Sequence, residues 1–168
     1  MQDVRKIDMA VQQLQDALEA YFKQRYHSAL VLAAASEQLF AGYMNLHKME
    51  PAYSSIRRAV VKIANDLKSR SGAAFEPTTE KDIGGLLNRA YNHSHHAGKT
   101  DLEVRMNPKF EAQEAIDRAI SNFDSLLLTY DLPEVAGAQR FIEESLAESR
   151  FDADVEELLG PVVCSLEA

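Results

Sequence analysis

One short stretch concentrates the residues that could do chemistry: Asn88-Arg89-Ala90-Tyr91-Asn92-His93-Ser94-His95-His96. Arginine carries a permanent charge on a planar fork that matches phosphate. Histidine titrates near neutrality and can move a proton. Together they suffice for metal-free cleavage of an RNA phosphodiester. A histidine would deprotonate the 2′-hydroxyl or protonate the leaving oxygen, and the arginine would stabilise charge on the phosphorane-like transition state. On a helical wheel of about 100° per residue, Asn92, His93 and His96 fall within roughly 60° of Arg89, and His95 falls apart from them. Ile83, Leu86, Leu87, Ala90, Ser94 and Ala97 form a separate arc. The spacing therefore predicts one helix from about Glu80 to Ala97, with a chemical flank along the edge of its core face. Gly84 and Gly85 precede the arginine. Each costs about 1 kcal/mol of helix stability against alanine, and the bald patch lets another backbone or a substrate come close.

The element best placed to organise that flank is residues 28–44, in which Glu37 is the only charge. Apolar residues lie on nearly every side, which marks the central helix of a bundle. A buried carboxylate is costly unless paired or protonated, so Glu37 is expected to meet a donor from another helix. Arg89 and His96 lie in the richest donor segment. A histidine in contact with Glu37 would be oriented by it and have its pKa raised. Two plainer readings stand beside this one. A Glu–Arg or Glu–His bridge can simply lock two helices together. His93, His95 and His96 with Asp101 also form a His/Asp cluster that a metal could use. No His-Glu-x-x-His or spaced Cys/His pattern accompanies it, so adventitious nickel or zinc is the better reading, and no metal or cofactor is expected.

The remaining elements follow from periodicity. Val4, Ile7, Val11, Leu14, Leu18 and Phe22 make residues 3–24 an amphipathic helix, with a joint between Tyr21 and Tyr26. Pro51 opens a third helix whose stripe of Ile56, Val60, Ile63 and Leu67 is expected to be buried, and which stops at Ser71-Gly72. Thr79 and Asp82 resemble a capping box, and Gly98 is a helix stop. A fifth helix, roughly 110–130, should bury Phe110, Ala115 or Ala112, Ala119, Ile120, Phe123 and Leu127. Pro133 should start a sixth on Val135, Phe141, Ile142 and Leu146. Beyond Arg150 the chain turns acidic, and Pro161 bars a long final helix. The expectation is an all-α, single-domain bundle of five to six helices over residues 1–150, followed by an acidic tail or short helix over 151–168.

Composition narrows the setting. The 168 residues suit one domain with a full core, and 46% are hydrophobic. The net charge is −8, and residues 131–168 carry all of it, with ten acidic and two basic residues. Residues 48–70 hold Lys48, Arg57, Arg58, Lys62, Lys68 and Arg70 against Glu50 and Asp66. That basic face is either a solvated helix surface or a phosphate-contacting one. The lone cysteine, Cys164, fits a reducing cytoplasm. Neither a signal peptide nor a membrane span is expected, because the N-terminus lacks an apolar run and residues 28–44 carry Glu37-Gln38 at their middle.

These pieces resemble the HEPN superfamily (higher eukaryotes and prokaryotes nucleotide-binding). Tyr26-His27-Ser28-Ala29-Leu30 through Ala33-Ala34-Ala35-Ser36-Glu37-Gln38-Leu39 looks like its bacterial pattern of an aromatic, Ser-Ala-Leu and an Ala-rich turn ending in Glu. Asn92-His93-Ser94-His95-His96-Ala97 followed by Asp101 looks like its Asn-aromatic-x-Lys-His-Ala segment. Glu114-Ala115, Ala119-Ile120 and Phe123 look like the helix that follows. The resemblance spans roughly residues 20–130 and implies a compact, often dimeric helical bundle. It also implies a metal-independent ribonuclease of the kind found in toxin–antitoxin, phage-defence and RNA-processing systems, or a non-catalytic relative. The family signature is Arg, four to six residues, then His. Arg89 to His95 has five intervening residues and Arg89 to His96 has six, and the Asn-to-His-Ala match favours His96. Active members usually carry a polar residue after the arginine, where this chain has Ala90. The resemblance thus casts Arg89 as phosphate stabiliser, His96 as general acid/base, Asn92 and Glu37 as support, and His93 and His95 as secondary candidates. Its alternative is a helical interaction protein in which the Glu37 contact is structural and the acidic C-terminal segment engages a protein partner.

Overall fold

The computed structural model describes residues 3–71, 76–95, 103 and 105–159. Among them the chain forms seven helices and no strand: α1 (Lys6–Phe22), α2 (Tyr26–Leu46), α3 (Ala52–Arg70), α4 (Glu80–Leu87), α5 (Arg89–His95), α6 (Pro108–Tyr130) and α7 (Ala138–Leu159). The all-α bundle expected from periodicity is what forms. No helix among the described residues is long and apolar enough to cross a membrane.

Helices α1, α2 and α6 make the core. Ile7, Leu14 and Leu18 of α1, Phe40 of α2, and Ile116 and Leu126 of α6 are almost wholly buried. Alanines at 10, 17, 29, 33, 112, 115 and 119 are also fully buried and let the three backbones approach closely. The α1–α2 joint falls where the aromatics flank Lys23-Gln24-Arg25, with Gln24 in the left-handed region at φ 57°. The Ser36 hydroxyl donates to the Ala10 carbonyl at 2.8 Å, so this buried polar group on α2 is satisfied by α1. Tyr21 packs edge-on against Phe22, Tyr26 and Phe141, which ties α7 to the α1–α2 corner. Gly137 enters α7 at φ +88°, and a Cβ there would lie 3.1 Å from the Phe22 ring.

Several expectations need correction. The stripe of α3 is not core. Ile56, Ile63 and Leu67 are 36%, 58% and 62% exposed, and no residue of α3 is buried. A neighbouring face of α3, about 70° around the helix, meets α4 through Tyr53 and Arg57, and the aliphatic stripe is left at the surface. The single helix expected over 80–97 is two. Thr79 and Asp82 form the anticipated capping box at its start. The helix is then interrupted at Asn88, whose φ −98° and ψ 4° depart from helical values. Asn88 donates from Nδ2 to the Tyr53 hydroxyl at 2.8 Å, a tertiary bond that competes with regular winding just after the weak Gly84-Gly85 pair. Leu86, expected in the core, is consequently 65% exposed. The last helix starts at Ala138 rather than beside Pro133, and runs through Arg150 to Leu159. Phe110 and Leu146, also expected in the core, are exposed.

Candidate functional site

Glu37 is buried, as a carboxylate in the middle of α2 should be, but its partner is Arg118 of α6. Arg118 Nε donates to Glu37 Oε2 at 3.0 Å, with the two side chains 8% and 10% exposed. Neither Arg89 nor any other residue of α5 supplies a hydrogen bond or ion pair to Glu37 among the described residues. The correction has a physical cause. Helix α2 packs far more extensively on α6 than on α5, and Glu37 meets Arg118 across that larger seam. Burial pushes the Glu37 carboxyl up, and the charge and hydrogen bond of Arg118 pull it back. Asn122, one turn beyond Arg118, is fully buried and accepts from the Ala52 amide at 2.8 Å. It thereby satisfies a first-turn N–H of α3, which has no side-chain cap of its own.

Beside the pair lies a cavity of about 200 Å³. Its walls come from α2 (Ala34, Glu37, Gln38, Ala41, Asn45), from Pro51, Tyr53 and Ser54 at the start of α3, from Asn88 and Tyr91, and from Arg118. Glu37 and Arg118 are buried at its floor, Tyr53, Asn88 and Tyr91 are half-buried, and Gln38 and Asn45 are exposed at its rim. One Glu37 oxygen, Oε1, has no hydrogen-bond partner among the described residues, and the same is true of both terminal nitrogens of Arg118. None of these atoms is sealed from solvent. Arg118 also lines a wider cleft of about 460 Å³ with Glu50, Glu114 and Asp117. Burial there, reinforced by Glu114 and opposed by Arg118, pushes the Asp117 carboxyl up.

Helix α5 divides the remaining candidates. Its inner side closes the cavity with Tyr91 and buries Ala90. Arg89 and Asn92, three residues apart, are both exposed on the outer side. Arg89 has no ion pair among the described residues, unlike Arg57 with Glu80 at 2.7 Å or Arg140 with Glu144 at 2.7 Å. His93 and His95 belong to α5, with side chains outside the described set, and His96 and Asp101 fall outside the described residues. The bald patch at Gly84-Gly85 is half occupied. The Tyr53 hydroxyl donates to the Gly84 carbonyl at 3.1 Å, and nothing approaches Gly85 within 4 Å. The basic face of α3 is partly neutralised within the chain, since Arg57 binds Glu80, Arg58 binds Glu50, and Lys68 Nζ donates to the Glu76 carbonyl at 2.9 Å.

Sequence reasoning missed Arg118, Asn122 and Tyr53. The first two carried a signal. Ala115, Arg118, Ala119 and Asn122 follow i, i+3, i+4, i+7 spacing, which sets two polar residues inside an apolar arc. Comparisons of the chain with models of known protein families, with curated proteins and with solved structures find no match.

Proposed function

We propose that this chain is an RNA-directed helical module of HEPN-like type, which contacts RNA through the outer face of α5. The observation that carries the proposal is Arg89 beside Asn92, both exposed on one helix face, the arginine without a competing carboxylate among the described residues. A permanently charged fork next to an amide is a phosphate-contacting arrangement. His96, seven residues after Arg89 in the sequence, is the general acid/base if the module cleaves. Glu37 no longer belongs to that constellation, because it is committed to Arg118. The test is binding and cleavage of a mixed-sequence single-stranded RNA in EDTA by wild type, Arg89→Ala and His96→Ala, each first shown to melt like wild type. Binding weakened in Arg89→Ala supports an RNA-directed module. Cleavage that persists in EDTA and disappears in both variants makes it a metal-independent nuclease. Binding and cleavage absent from all three proteins refute the proposal.

A second reading has its own observation. Ile56, Ile63 and Leu67 form an exposed aliphatic stripe along α3, and the buried Glu37–Arg118 pair locks α2 to α6. Both features suit a non-catalytic interaction protein. Self-association or partner binding lost on Ile63→Lys, with no RNA binding by wild type, would favour it.

A further inference from the structure

The cavity between α2, α3 and α5 is closed by more chemistry than a packing defect needs. Its floor holds two buried, oppositely charged groups that satisfy each other through a single hydrogen bond, Arg118 Nε to Glu37 Oε2. That leaves a carboxylate oxygen able to accept and guanidinium nitrogens able to donate on two residues that both line one small space. Unpaired capacity of this kind is costly to desolvate and rewards a ligand that restores both halves. The walls include the side chains of Tyr53 and Tyr91, and the amides of Gln38, Asn45 and Asn88 complete the lining. At about 200 Å³ the space is smaller than the roughly 300–1,000 Å³ typical of drug-sized ligands, and fits one planar ring system rather than a whole nucleotide.

From this arrangement we infer that the cavity is a base-binding pocket that takes guanine from a single-stranded RNA or a guanine nucleotide. Single-stranded RNA is read by splaying a base out, packing it on aromatic side chains and hydrogen-bonding its exposed edge. Guanine presents two adjacent donors, N1–H and the N2 amino group, beside the acceptor O6. A carboxylate accepts from the donors and a guanidinium donates to O6. Adenine offers one donor beside an acceptor, and hypoxanthine lacks the amino group, so each leaves part of the floor unmatched. The sugar and phosphate remain outside, past Gln38 and Asn45 at the rim. The inference rests on the RNA-directed reading for its physiological ligand, but its test does not depend on Arg89.

The experiment is calorimetric titration of the full chain with GMP, IMP and AMP, repeated with Ala41→Leu. Ala41 is a half-buried lining residue without a polar role, and leucine there fills the space while leaving Glu37 and Arg118 in place. The expected result is GMP binding about tenfold or more tighter than IMP or AMP, the effect of one hydrogen bond to a charged group, with binding lost in Ala41→Leu. Equal affinity for the three nucleotides, binding that survives Ala41→Leu, or no GMP binding at millimolar concentration overturns the inference. RNA binding without GMP binding would remove the pocket and keep the RNA-directed reading. GMP binding by a chain that ignores RNA would keep the pocket and remove that reading.

Discussion

Replacing Arg118 with methionine tests the buried pair at the centre of the molecule. The substitution keeps most of the side-chain volume and removes the charge, so its cost comes from Glu37 rather than from an empty space. Glu37 and Arg118 are both about nine-tenths buried, so solvent screens them little. Breaking such a pair from one side costs about 3–5 kcal/mol, because the remaining charge is buried without compensation. The adjoining cavity gives water access to the carboxylate and places the expected loss near 3 kcal/mol. For a chain of this length each kcal/mol moves the melting temperature by about 2–4 °C, so the variant should melt about 6–12 °C lower at neutral pH. The pH dependence has a definite sign. Burial already raises the folded Glu37 pKa, and removing Arg118 deletes both influences that hold it down. A carboxyl whose folded pKa lies above its unfolded one binds its proton more tightly when folded, so stability is lost as pH rises through the folded pKa. The deficit of Arg118→Met is therefore present in full above that raised pKa, and shrinks as pH falls towards the unfolded value of about 4.3. Adding Glu37→Gln should recover more than half of the loss, since a neutral amide needs no counter-charge. Thermal melts of wild type, single and double variants between pH 4.5 and 8 provide the assay. A loss below about 1 kcal/mol, a deficit that does not vary with pH, or no recovery in the double variant would refute the reasoning.

Gly137→Ala should destabilise the fold by about 1–3 kcal/mol in a urea melt, because a Cβ would meet Phe22 at 3.1 Å on a backbone at φ +88°. Asn122→Leu should cost about 1–3 kcal/mol and speed hydrogen exchange of the Ala52 amide, which loses its acceptor. Ile63→Lys should leave the stability within about 0.5 kcal/mol of wild type in a thermal melt, since the residue is 58% exposed. Sedimentation of the same variant reports whether the stripe of α3 joins two copies, in which case the dimer fraction falls.

The helical periodicities of α1, α2 and α6 were legible because these helices bury wide apolar faces against one another. The stripe of α3 had the same spacing and the opposite fate. Period identifies an amphipathic helix but not which of its faces meets the bundle, and the Tyr53–Gly84 and Tyr53–Asn88 contacts that decide it are long-range. The interruption at Asn88 was hidden for the same reason. The weak Gly84-Gly85 pair was visible, whereas the hydroxyl that bonds Asn88 comes from 35 residues earlier in the chain. The need of Glu37 for a partner was correctly read from the cost of burying a carboxylate. The partner was misassigned because Arg89 sits in a conspicuous cluster of polar residues, whereas Arg118 follows Asp117 and lies one turn from Glu114, so it reads as a surface arginine paired within its own helix.

The central claim is that the exposed face of α5 meets RNA, and the salt dependence of RNA affinity tests it most directly. Each phosphate neutralised on a single strand contributes about −0.7 to the slope of log K against log salt. Wild type should bind a mixed-sequence single-stranded RNA with a negative slope, and Arg89→Ala should bind more weakly with a slope shallower by about 0.7. An affinity and slope unchanged by Arg89→Ala, or no RNA binding at low salt, would contradict the account.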